Sequence, residues 1–138
     1  MRTSIASARP ADLPLLANID AAMSANRLPK TQYRMIASDD RHAPVVQAGD
    51  TLIVDTSLKM PEVGCLFVIE YPLYTATGMV IPVPHVQQCR RWLASRDDCY
   101  VLGASAPEHR RRSCCDGFYD AAHFARAVLG RVIAIHRN

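Results

Sequence analysis

The chain has 138 residues, 49% of them hydrophobic and 21% charged, a composition that suits one globular domain and excludes a largely disordered chain. The formal net charge of +3 rests on 14 Arg and 2 Lys, too slight a basic balance to call for nucleic acid by itself. No apolar run reaches the ~18 residues of a membrane span, and Met1-Arg2-Thr3 lacks the apolar core of a signal peptide, so no membrane association is expected.

In chain order, residues 1–9 read as a polar terminus. Ala11 to Ala25 is a helix candidate: Leu13, Leu16, Ala17, Asp20, Ala21 and Ser24 recur at roughly helical spacing. Asp12 can cap its start and Pro14 suits the first turn. Residues 26–32, with Pro29, read as a linker, which divides the chain into an N-terminal arm (1–32) and a β domain (33–138). Tyr33–Ala37 is a short strand. Ala48-Gly49-Asp50 is a turn signal before Thr51-Leu52-Ile53-Val54-Asp55, a run of β-branched and aliphatic residues. A second turn, Met60 to Gly64, precedes the nearly continuous apolar run Cys65–Glu70, expected to be a buried strand. Tyr71–His85 holds Pro72, Pro82, Pro84 and Gly78, and reads as a long loop or irregular hairpin.

Val86–Leu93 is ambiguous in period. The polar turn Ser95–Asp98 and the strand Cys99–Leu102 that follow it favour a hairpin. Ala106–Gly117 is a polar, basic loop, Phe118–Ala127 a helical turn, and Leu129–His136 an apolar closing strand. The expected fold is mostly β: a folded-over, barrel-like sheet of six or seven short strands with one short N-terminal helix. Five cysteines, Cys65, Cys89, Cys99, Cys114 and Cys115, give an odd number without a C-x-x-C pair. Reduced thiols in a cytoplasmic protein are the expectation.

The order of these elements resembles the LexA, UmuD and phage-repressor C-terminal domain, a peptidase domain of signal-peptidase-like fold. The resemblance covers roughly residues 33–137. Arg41-His42-Ala43-Pro44 stands where that family carries Ser-Met-x-Pro, a few residues before the Gly49-Asp50 turn and its strand. Glu62-Val63-Gly64-Cys65-Leu66-Phe67 fits the next turn and strand. Cys89-Arg90-Arg91-Trp92-Leu93 resembles the family's Lys-Arg-Leu strand, and Leu129-Gly130-Arg131-Val132-Ile133 its closing Gly-x-Val strand. Pro44, Gly49, Asp50, Gly64 and Gly130 are thus the expected structural motif.

The family's self-cleavage needs a serine nucleophile and a neutral lysine base, whose pKa is lowered by burial. The resemblance puts Arg41 at the serine and Arg90 at the lysine. Arginine does not deprotonate at useful pH and cannot replace that base. The two lysines, Lys30 and Lys59, fall in a linker and a turn. Ser38 is the fallback nucleophile, three residues early, with Asp39 and Asp40 beside it as candidate counter-charges for Arg41 and Arg90.

Other constellations carry less. His109, Cys114, Cys115 and His123 lack the paired spacing of a structural zinc site, so neither metal nor cofactor is expected. Arg110-Arg111-Arg112 reads as a solvated basic loop. Without a helix-turn-helix pattern, direct DNA binding is not expected. The resemblance implies a catalytically inactive regulatory domain of transcription or the DNA-damage (SOS) response. It would act as a homodimer, or by binding a repressor, RecA or a polymerase, with Val132, Ile133 and Ile135 of the closing strand as the candidate interface. The alternative is a divergent self-cleaving serine peptidase using Ser38.

Overall fold

A computed structural model describes residues 28–91, 99–105 and 116–137. The helix expected over 11–25, Trp92, the 95–98 turn, His109, the Arg110–Arg112 cluster, Cys114 and Cys115 lie outside these residues.

About half of the described residues lie in seven strands: β1 (Gln32–Ile36), β2 (Thr51–Asp55), β3 (Leu66–Tyr74), β4 (Val80–Arg91), β5 (Tyr100–Gly103), β6 (Asp116–Tyr119) and β7 (Val128–His136). One short helix, α1 (Ala121–Ala127), stands between β6 and β7. All pairings are antiparallel, in the order β1-β2-β7-β3-β4-β5-β6. The expected mostly β class holds, but this is a single sheet that does not close into a barrel: β1 and β6 remain edges. It does fold over. β1 and β4 are four strand spacings apart, about 19 Å in a flat sheet, yet Met35 of β1 and Pro84 of β4 line the same cleft.

Strand alternation sorts the apolar residues onto two faces. Leu52, Val54, Leu66, Val68, Val132 and Ile135 form the inner core, joined by Ala37 and Val46 from the connection between β1 and β2. On the outer face, Phe67, Cys89, Leu102 and Tyr119 are covered by α1 through Phe124, whose ring meets Phe67 edge-on at 4.8 Å. Asp120 caps α1, its carboxylate accepting the His123 N–H at 2.7 Å. A third cluster, Ile53, Ile133 and Ala134, is covered by Leu28 and Leu58.

Of the long loop or irregular hairpin expected over Tyr71–His85, the structure shows a hairpin, and its prolines break no strand. Thr75 N–H donates to Met79 O and Cys89 N–H to Cys65 O, both at 2.9 Å. These bonds set the parity of the β3–β4 ladder, so Pro72, Pro82, Pro84 and Val86 stand at pairs whose main-chain groups point away from the partner strand. A proline there removes no ladder bond and blocks the outer edge against further pairing. The ribbon therefore extends to its tip, where Leu73, Tyr74, Met79, Val80 and Ile81 are exposed.

The closing strand is central: β7 lies between β2 and β3, pairing with β2 over 131–136 and with β3 over 128–131. Val132, Ile133 and Ile135 are buried in the sheet's own packing. β6, in a segment read as loop as far as Gly117, forms the far edge by pairing with β5.

Candidate functional site

The connection between β1 and β2 carries Arg41, which the resemblance sets at the nucleophile position, and its own chemistry holds it in place. Gly49 adopts φ +92°, a conformation that disfavours any residue with a Cβ. Asp50, 3% exposed, accepts the Gln47 N–H at 2.8 Å. Arg137, just beyond β7, donates from Nε to Asp50 Oδ1 at 3.0 Å and from Nη2 to Oδ2 at 2.9 Å. The same guanidinium reaches the carbonyls of Val45 at 2.8 Å and Pro44 at 3.3 Å. Burial alone would raise the Asp50 carboxyl. The bonds from Arg137 and Gln47, with the charges of Arg137 and His136, outweigh it and hold the pKa below its ordinary value.

Arg41 is half-buried. Its Nε lies 3.4 Å from Asp39 Oδ2, and its Nη1 donates to Gln87 Oε1 at 3.3 Å. Asp39 thus faces Arg41 as expected, whereas Asp40 accepts the Ala48 N–H at 2.9 Å. The side chain that β4 brings to Arg41 is that of Gln87, which is buried. Arg90 is three residues farther along the strand, about 10 Å away along the backbone and on the opposite face. It stands across from Val101. Where the resemblance would set Arg90 near Arg41, the structure brings Gln87 to it. Ser38 is exposed and lines a small cavity, about 10 Å³, with Met35, Asp39, His42, Pro84, His85 and Val86 among its walls.

His42 is 3% exposed. Its Nε2 lies 2.6 Å from Val86 O, one of the outward-pointing carbonyls of β4 just past the end of β5. Its Nδ1 lies 2.6 Å from Ser105 Oγ and accepts the Ser105 N–H at 3.2 Å. A main-chain N–H aimed at Nδ1 and a carbonyl at Nε2 together select the neutral Nε2–H tautomer, so Ser105 Oγ–H is the donor to Nδ1. Sixty-three residues separate the partners, and no local pattern in either segment announces the contact.

Beside this loop runs a cleft of about 450 Å³ between the folded-over halves of the sheet, lined by Tyr33, Met35, Thr56, Lys59, Glu70, Pro84 and Leu129. Its floor is apolar, and Lys59 and Glu70 bring opposite charges to its walls. Burial, and then the Glu70 charge, push the Tyr33 phenol above its ordinary pKa. β1 bounds the cleft, and among the described residues its outer edge has no partner strand. Ala37 N–H donates to Asp50 O at 2.8 Å, which sets the β1–β2 parity and turns the N–H and C=O of Arg34 and Ile36 outward.

Among the described residues no cluster of three or more His, Cys, Asp or Glu could hold a metal, and no helix is long and apolar enough to cross a membrane. Compared with known proteins, the chain matches no family model, no curated protein and no solved structure.

Proposed function

We propose that the chain is a cytoplasmic LexA-like regulatory domain without the family's Ser–Lys chemistry, acting through self-association or protein binding in transcription or the DNA-damage response. The observation that carries this reading is Arg41 seated against Gln87. In terms of the resemblance, a guanidinium stands at the nucleophile position and an amide faces it from β4. Neither group can attack a carbonyl or accept a proton at useful pH. Lys30 and Lys59 are exposed.

With β7 central, the surface suited to association is the edge of β1, unpaired among the described residues, and the cleft beside it. An extended segment can pair with the outward groups of Arg34 and Ile36 while alternate side chains enter the cleft. A second copy offers the same edge, which gives a two-fold arrangement. Sedimentation is expected to show a dimer. Ile36→Pro removes an outward N–H without touching the β1–β2 ladder, and should leave a folded monomer. A wild-type monomer that also retains no repressor, RecA or polymerase would refute the binding reading. Self-cleavage on alkaline incubation with activated RecA, abolished by Ser38→Ala, would support the alternative of a divergent serine peptidase.

A further inference from the structure

We propose that Ser105 is a nucleophilic serine, with His42 as its general base, able to take an acyl or phosphonyl group from an activated ester. This goes beyond the binding reading and uses neither Arg41 nor Ser38. The tie of the β1–β2 connection to the edge of β4 is complete without the hydroxyl. Nε2 of His42 has Val86 O, and Nδ1 already accepts the Ser105 N–H. The Oγ at 2.6 Å is an additional contact, and it has the relation a nucleophile needs to its base. The carbonyl of Val86 orients the imidazole as the third group. His42 is buried while Ser105 is half-buried, so the base is held in place beside a hydroxyl on the less buried residue.

In the step, Ser105 Oγ bonds to the ester carbonyl carbon as its proton passes to Nδ1, leaving an imidazolium with Nε2–H still on Val86 O. The bond from that carbon to the leaving alcohol then breaks, and Nδ1–H returns the proton to the departing oxygen. The product is an ester on Ser105, which water hydrolyses with the same proton transfers in reverse order. With a fluorophosphonate the leaving group is fluoride and the phosphonyl-serine persists.

The test is incubation of the folded chain with a fluorophosphonate and location of the adduct by mass spectrometry. An adduct on Ser105 is expected, absent in Ser105→Ala. In His42→Gln, which keeps a donor for Val86 O, labelling should be slower by about 100-fold, the scale of general-base assistance. Should His42→Gln fail to fold, Ser105→Cys with His42 intact gives a second reading. Iodoacetamide alkylation at that position should be nearly independent of pH below neutrality, as for a thiolate–imidazolium pair. A free thiol instead gains about tenfold per pH unit up to its pKa near 8.5. No adduct on Ser105, equal labelling of wild type and a folded His42→Gln, or an introduced thiol that titrates like a free cysteine would each overturn the proposal. None of these results bears on association through β1.

Discussion

Replacing Asp50 by Asn tests whether one buried carboxylate fastens the β1–β2 connection to the end of the chain. The native carboxylate accepts from Gln47 N–H, Arg137 Nε and Arg137 Nη2 at 2.8, 3.0 and 2.9 Å. An Asn of the same shape keeps one acceptor oxygen and turns an NH₂ toward a donor. A buried donor without a partner costs about 1–3 kcal/mol. The lost ion pair adds only about 1 kcal/mol, because the Arg137 side chain is 32% exposed and such pairs are screened by water. The total is about 3 kcal/mol, or roughly 10 °C in Tm for a domain of this size. The pH dependence has a definite sign. The folded pKa of Asp50 lies below its unfolded value, so its contribution is complete above the ordinary carboxylate range, near pH 4, and fades as pH falls through the folded value. Thermal denaturation followed by circular dichroism between neutral pH and pH 2 should show the wild type losing its advantage over Asp50→Asn in that acid window. Parallel curves, or a Tm difference under about 2 °C at neutral pH, would refute the clamp.

The sheet offers three further measurements. A Cβ on Gly130 would lie 2.5 Å from Asp55 O, so Gly130→Ala must shift β2 against β7. It should cost about 1–3 kcal/mol in urea unfolding; an unchanged midpoint would show that the strands have slack. Phe124→Ala empties the centre of the aromatic cluster under α1 and should lower stability by about 3–5 kcal/mol on the same assay. Burial pushes the Cys89 thiol up to about 12. Cys65 and Cys89, both buried, should resist iodoacetamide at pH 8 until the chain unfolds, whereas half-buried Cys99 reacts first. Equal rates for Cys89 and Cys99 would contradict the burial.

Local chemistry was sufficient for much of the fold. Runs of aliphatic and β-branched residues mark β2, β7 and the start of β3 within a residue, because side chains of that kind favour a pleated, buried backbone. The Ala48-Gly49-Asp50 turn was equally legible, since a positive φ asks for glycine. The proline-rich stretch stayed open between loop and hairpin because a proline's tolerance in a strand depends on which way its nitrogen faces. That direction is set by ladder parity, a property of two strands together.

Sequence alone thus determined the mostly β class, the main strands and the lack of a lysine where the resemblance calls for a base. Only the tertiary structure decided that the last strand is central, that Gln87 and not Arg90 meets Arg41, and that His42 meets Ser105 and Asp50 meets Arg137. Strand propensity is carried by a residue and its immediate neighbours. Strand order and register depend on what the rest of the chain buries, so contacts across 46, 63 and 87 residues leave no periodic trace in any short segment.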